Sequence, residues 1–269
     1  MSRTYQTRGI ILKGTPFGET DRLLTLFSPD HGLIRAIAPG ARKPKSSLRG
    51  RTEIFVVNQF LLATGKSLDR ILQVETQQSF SGLGQDACTL AAGQYLIEVI
   101  LALAVEQTPQ PLLYELFIEH LRRLEVEAQP PTLYAHLAQG LFHCLALEGF
   151  APQLHHCALS GEVITPNFHT LQWRMGFSHD LGGVVTLPIK THQPLTLKRL
   201  TAIELSLLQH LSHSALPDPL DFLPAVAQKR LRVVDWLTVE RVLRDYAQHQ
   251  LGKTFKAAPL VDSLWELDF

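Results

Sequence analysis

Residues 8–27, RGIILKGTPFGETDRLLTLF, contain two apolar runs separated by a turn. The first run extends from Arg8 to Lys13 and the second from Asp21 to Phe27, and both are short and rich in Ile, Leu and Phe. Pro16 and Gly18 lie between them, and both residue types favour turns. The pattern therefore predicts two β-strands joined by a turn.

Three more runs of this kind follow within the first 80 residues. They extend from Leu33 to Ala38, from Ile54 to Ala63 and from Arg70 to Gln77. Five short strands in one compact unit favour a small Greek-key barrel such as the OB-fold, and the pattern alone leaves an SH3-like barrel open.

After about residue 84 the apolar residues recur at helical spacing instead. The spacing predicts helices over residues 86–103, 112–124, 133–147 and 233–251. Thr201 to Glu204 has the form of a capping box, which predicts the start of another helix. The predicted fold class is therefore α+β, with an N-terminal β-barrel followed by an all-helical domain.

Residues 150–195 show neither period and are interrupted by Gly and Pro, which predicts an irregular lobe inserted in the helical domain. Cys157 and the histidines of this lobe are residue types that bind zinc. A structural zinc site needs paired ligands, however, and the position three residues after Cys157 is Ser160. We therefore expect no metal site and no cofactor.

Charge is polarised along the chain although the formal net charge is zero. The first 80 residues hold 12 Lys or Arg against 6 Asp or Glu, and the remainder holds 13 against 19. No acidic residue lies between His31 and Thr52. The cations concentrated in this stretch are Arg35, Arg42, Lys43, Lys45, Arg49 and Arg51. Such a block attracts polyanions.

Residues 40–51, which we call the basic loop, have a glycine near each end and Pro44 at the centre. We expect their cationic groups to project from the barrel and to contact phosphates without reading bases. The nearest aromatic that could stack on a base is Phe17, because Phe27, Phe55 and Phe60 are expected in the core. A solvated basic loop that only keeps the protein soluble remains an alternative.

A second set of cations lies on and after the last predicted helix. Its members Arg241, Arg244 and Lys253 are candidates for a partner contact or a secondary DNA contact. Positive groups near a helix end also complement the helix dipole, so that alternative stays open.

Several function classes are excluded by pattern. No apolar stretch approaches the roughly 18 residues of a membrane span, and the N-terminus lacks the apolar core of a signal peptide. Phosphate-binding, dinucleotide-binding and nucleophile motifs are also missing from the sequence. We therefore expect a cytoplasmic protein without catalytic residues.

An ordered series of short motifs resembles the N-terminal signature of the RecO family of bacterial DNA repair and recombination proteins. Residues 246–253 at the other end resemble that family's closing helix and tail. The N-terminal motifs are Arg8–Leu12, Gly18-Glu19, Asp21–Phe27, His31-Gly32, Gly40–Ser46 and Leu48-Arg49.

The resemblance implies an OB-fold over residues 1–82, which contacts DNA through the six cations, and a helical domain over 83–269. Residues 150–195 would be a zinc-finger-like lobe that lacks the two Cys-x-x-Cys pairs of many members. Members of the family are not enzymes. They bind single- and double-stranded DNA and anneal complementary strands in the bacterial cytoplasm and nucleoid.

The implied partners are RecR, the acidic tail of single-strand-binding protein and, indirectly, RecA, which the protein helps to load. An RNA-binding OB-fold protein is the alternative from another class.

Overall fold

The computed structural model describes residues 3–127, 129–188 and 196–266. The chain forms two compact units. One runs to Val126 and includes the chain again from Val261, and the other is Glu127–Leu260. No helix among the described residues has both the length and the apolar character that a membrane crossing requires.

The first unit begins with five strands that close into a barrel. They are β1 (Thr4–Phe17), β2 (Asp21–Ser28), β3 (Gly32–Ala38), β4 (Val56–Ala63) and β5 (Asp69–Ser79). Their order around the barrel is β1-β2-β3-β5-β4, and β4 pairs back onto β1. All pairs are antiparallel except β3 with β5. The five predicted strands are confirmed, and the arrangement is consistent with an OB-fold.

The barrel core consists of the inward-facing side chains of these strands. Ile11, Leu24 and Phe60 are completely buried there. The basic loop contributes two apolar side chains to the same core, because Ala41 is buried in it and Leu48 packs against it. The loop is therefore anchored to the barrel at two points.

Two helices complete the main part of the first unit, α1 (Ala87–Leu103) and α2 (Pro111–Val126). Asp86 caps α1 by accepting a 2.9 Å hydrogen bond from the Thr89 amide. The α2 residue Tyr114 packs on Phe27 of β2 with ring centroids 5.7 Å apart. The first compact unit thus extends beyond the barrel, and a domain boundary at residues 82 and 83 stays a prediction.

The second unit contains α3 (Thr132–Leu147), α4 (Ala202–Gln209), α5 (Pro219–Phe222), α6 (Ala225–Gln228) and α7 (Val233–Leu251), and α8 (Ala258–Glu266) begins within it. Helices α3 and α7 pack together and α4 packs on α7. The predicted capping box is present, because Glu204 and Thr201 each accept a hydrogen bond from the other's backbone amide, at 2.7 and 3.2 Å.

The predicted irregular lobe contains two strands of a small sheet that the sequence did not indicate, and the third strand follows the predicted end of the lobe at residue 195. Strands β6 (Met175–Ser178), β7 (Gly183–Val185) and β8 (Lys198–Leu200) pair antiparallel in the order β7-β6-β8. They have three or four residues each, and β6 and β7 are buried throughout, so no alternation could reveal them. The predicted lobe also includes residues 189–195, which lie outside the described residues.

Candidate nucleic-acid interface

The basic loop is a folded series of turns. Backbone amides of the loop donate hydrogen bonds to its own carbonyls, from Lys43 to Gly40 at 3.1 Å and from Ser46 to Lys43 at 3.0 Å. The loop ends in a short 3-10 helix, Gly50–Thr52, in which Thr52 is buried. Together with the burial of Ala41, these contacts hold the loop in one conformation on the barrel surface.

All six predicted cations of the first unit are exposed, as the sequence predicts. Among the residues that the structure describes, no carboxylate lies within salt-bridge distance of any of them. The side chains of Lys43, Lys45 and Arg49 also make no hydrogen bond within the described parts of the chain. Their charges are therefore available to an external anion.

Arg42 has a different role, because it joins the loop to the turn between β1 and β2. Its guanidinium donates hydrogen bonds to the carbonyls of Gly18 and Glu19, both at 3.2 Å. Its amide donates to the Thr20 carbonyl at 2.9 Å. Arg42 therefore fixes the tip of this hairpin relative to the loop.

A carboxylate supports the same junction. The Gly40 amide donates to Asp21 Oδ1 at 2.8 Å, and this bond is the main reason why the pKa of Asp21 is lowered. The positive charges of Arg70 and Lys43 lower it further. Asp21 thus stays ionised as a backbone acceptor.

A hollow of about 460 Å³ lies between the hairpin and the loop. Three arginines and one glutamate give it a net positive charge, and proline side chains form part of its wall. Its lining residues are Pro16, Arg22, Ala41, Arg42, Pro44, Arg49 and Glu53. A phosphate group fits such a site, because guanidinium groups bind its oxygens in pairs.

Sequence reasoning missed Arg22, which lies in this hollow. Its guanidinium is 2.6 Å from Glu53 Oε1 and its side chain is 18% exposed. A Cβ at Gly14 would lie 2.7 Å from Arg22 Nη2, so the glycine makes room for the guanidinium. The available signal was a charged residue at the start of β2, next to Asp21.

The structure does not bring all six predicted cations together. Arg42 and Arg49 share the hollow described above. Arg51 lies instead beside a second hollow of about 440 Å³ and donates to the Val74 carbonyl at 2.8 Å. Arg35 projects from β3 and lines neither hollow. Lys43 and Lys45 belong to the loop but line neither of them.

The second predicted cluster is divided by burial. Arg241 and Lys253 are exposed. Arg244 is buried and forms an ion pair with the buried carboxylate of Glu240, with Arg244 Nε 3.1 Å from Glu240 Oε1. A buried guanidinium already paired with a carboxylate cannot receive DNA or a peptide. We therefore withdraw Arg244 as a contact residue.

Cys157 is the candidate zinc ligand of the lobe that the sequence singled out. Within residues 3–127, 129–188 and 196–266, no group of three His, Cys, Asp or Glu side chains could hold a metal. Burial raises the pKa of the Cys157 thiol, but hydrogen bonds from the Ser160 side chain and from the amides of Thr186, Ser160 and Leu159 outweigh burial and lower it to about 6. These donors satisfy the sulfur without a metal.

Comparison with known proteins shows which sequences the chain is similar to. Two family models match the chain, "Recombination protein O N terminal" over residues 1–80 and "Recombination protein O C terminal" over residues 84–259. A "DNA repair protein RecO" from Synechocystis sp. is 64% identical over the full length of both chains. Proteins of the same name from Gloeothece citriformis and Synechococcus elongatus are 49% and 44% identical. The alignment with the Gloeothece citriformis protein covers 100% of both chains. The alignment with the Synechococcus elongatus protein covers 98% of this chain and 97% of the relative.

Proposed function

Because the chain belongs to the RecO family of DNA repair proteins, we propose that it is a non-catalytic recombination mediator that holds DNA by its phosphate backbone. It binds single- and double-stranded DNA, anneals complementary strands, and acts with RecR to load RecA onto DNA covered by single-strand-binding protein.

The exposed, unpaired cations of the basic loop are the observation that carries this proposal. Lys43, Lys45 and Arg49 have no carboxylate partner among the described residues, and the loop that carries them is anchored in the barrel core. Each cation that neutralises a phosphate releases a condensed counterion. Neutralising two strands at once lowers their mutual repulsion, which favours annealing whatever the sequence.

The second unit supports the proposed contact with the acidic tail of single-strand-binding protein. A hollow of about 370 Å³ there is lined by Phe168 and Trp173, with Arg174, Arg230 and Arg232 among its other lining residues. Apolar rings beside guanidinium groups suit an acidic peptide that also carries an apolar side chain. Arg241 and Lys253 remain candidates for the same partner, because both are exposed.

A strand-annealing assay tests the proposal. Complementary strands coated with single-strand-binding protein are mixed with RecR and either the wild-type protein or the variant Lys43→Ala, Lys45→Ala, Arg49→Ala. These side chains make no internal bonds within the described residues, so the fold should persist, and annealing should slow at least tenfold. Unchanged annealing by the folded variant would refute the role of the loop.

A matched control removes the same charge elsewhere. Lys66→Ala, Arg199→Ala and Lys229→Ala are substitutions of exposed cations outside the basic loop. This control should anneal strands at the wild-type rate. Competition between single-stranded DNA and RNA of equal length tests the alternative of an RNA-binding protein, which a strong preference for RNA would favour.

A further inference from the structure

Phe17 is an exposed aromatic residue at the end of β1. Its exposed fraction is 41%, whereas the barrel phenylalanines at 27, 55 and 60 are at most 4% exposed. Tyr5 is half-buried and donates its hydroxyl proton to Asp69. A phenyl ring left in water forgoes the stabilisation that burial would give it, so the ring of Phe17 is available to an external apolar or aromatic group.

The position of Phe17 is fixed by the contacts already described. It is the last residue of β1 and lies directly opposite Asp21 in the hairpin. The next two residues, Gly18 and Glu19, are those whose carbonyls accept hydrogen bonds from Arg42. The ring therefore stands on a turn that is fixed to the basic loop.

Cations lie near this turn, which also carries the carboxylates of Glu19 and Asp21. Lys43 and Arg70 are close enough to Asp21, the cross-strand partner of Phe17, to lower its pKa. Pro16, the residue before Phe17, lines the hollow that contains three arginines. Cations bind phosphates, and an exposed aromatic ring stacks on another ring. A ring close to cations therefore suits a ligand that carries aromatic bases on a phosphodiester backbone.

We propose that Phe17 stacks on an unpaired base of the DNA strand held by the basic loop, and so makes the protein prefer single-stranded to double-stranded DNA. This inference rests on the proposed function, because it needs the loop to hold the strand. Bases inside a duplex keep both faces stacked and offer none to the ring. Stacking on one base changes affinity by about 5- to 150-fold and tolerates any sequence.

Four variants separate stacking from simple apolar contact. Phe17→Ala removes the side chain, Phe17→Leu keeps an apolar side chain without a ring, and Phe17→Tyr and Phe17→Trp keep a ring. Affinities are measured for an oligothymidylate, for an abasic strand of the same length and for a duplex. All four leave the charges of the loop unchanged, so the dependence of duplex affinity on salt should match the wild type.

We expect the wild type to bind oligothymidylate at least fivefold more tightly than the abasic strand. Phe17→Ala and Phe17→Leu should bind the two strands equally, whereas Phe17→Tyr and Phe17→Trp should keep the preference. Duplex affinity should stay within twofold of the wild type for all variants. The proposal would be overturned if Phe17→Leu still preferred oligothymidylate to the abasic strand. It would also be overturned if the variants lost as much affinity for the duplex as for oligothymidylate.

Failure of the stacking proposal can be distinguished from failure of the proposed function. If the Phe17 variants match the wild type while the Lys43, Lys45 and Arg49 variant loses DNA binding, stacking is wrong and the loop keeps its role. If the loop variant also binds as the wild type does, both proposals fail.

Discussion

The guanidinium of Arg42 donates a hydrogen bond to the carbonyl of Gly18, with 3.2 Å between nitrogen and oxygen. This bond crosses from the basic loop to the tip of the β1–β2 hairpin. Gly18 has a φ of +59°, a left-handed conformation that side chains other than glycine rarely adopt. The turn and the arginine together give the loop and the hairpin one fixed geometry.

Arg42→Lys should separate geometry from charge. Lysine keeps the positive charge, but its side chain is one atom shorter than that of arginine, so its ammonium does not reach the carbonyls of Gly18 and Glu19, which both accept from Arg42 Nη1. We expect affinity for single-stranded DNA to fall about fivefold, as the loss of roughly 1 kcal/mol of hydrogen bonding implies. The slope of log affinity against log salt should stay unchanged in a titration followed by fluorescence anisotropy.

The matched control for that experiment is Lys43→Arg. This substitution keeps the positive charge, and the Lys43 side chain makes no hydrogen bond or ion pair within the described residues. It should bind as the wild type does. Wild-type affinity for Arg42→Lys would show that Arg42 acts only as a charge, and a shallower salt slope would show that its guanidinium itself contacts a phosphate.

The buried pair of Arg244 and Glu240 predicts a loss of stability without a loss of DNA binding. Arg244→Met leaves the carboxylate of Glu240 buried without this partner, which typically costs about 3 kcal/mol. Urea denaturation should show that decrease in the free energy of unfolding. Below the unfolding transition, DNA affinity should equal that of the wild type, and a specific loss of binding at unchanged stability would restore Arg244 as a contact residue.

Cys157 predicts a pH dependence of stability. Its pKa in the folded protein is about 6 and its ordinary value is 9.0, so folding favours the thiolate. The resulting stabilisation is complete above pH 9, decreases as the pH falls, and is lost as the pH passes through 6. The difference in the free energy of unfolding between the wild type and Cys157→Ser should therefore grow from pH 6 to pH 9 under reducing conditions.

Cys144 is the contrasting thiol of the chain. It is buried in α3, and burial raises its pKa to about 12. Its contribution to stability decreases only as the pH rises to its ordinary pKa of 9.0 and beyond, and it cancels from the comparison because the wild type and Cys157→Ser both contain Cys144. If the difference between the wild type and Cys157→Ser is constant from pH 6 to pH 9, the hydrogen bonds to the sulfur do not stabilise a thiolate.

The main elements of the fold were predictable because each is long enough for its pattern of apolar residues to repeat. The five barrel strands and the helices α1, α3 and α7 lie within a few residues of their predicted bounds. The strands of the lobe escaped prediction because three or four residues cannot show alternation. The short helices α5 and α6 escaped for the same reason, since four residues make a single turn.

The site was only partly predictable from sequence. A run of cations without acidic neighbours indicated the basic loop, because solvated charge is a local property. The pairing of Arg22 with Glu53 joins residues 31 positions apart and depends on the closure of the barrel. The burial of Arg244 depends likewise on how α7 packs. The sequence around Arg244 does not distinguish this buried arginine from the exposed cations near it.

The salt dependence of binding tests the central claim most directly. Affinity for a single-stranded oligonucleotide is measured from 50 to 300 mM salt for the wild type and for Lys43→Ala, Lys45→Ala, Arg49→Ala. Each phosphate contact contributes about 0.7 to the slope for single strands, so the slope should become shallower by about 2, for every sequence tested. An unchanged slope in the folded variant would contradict the claim that these cations hold the phosphate backbone.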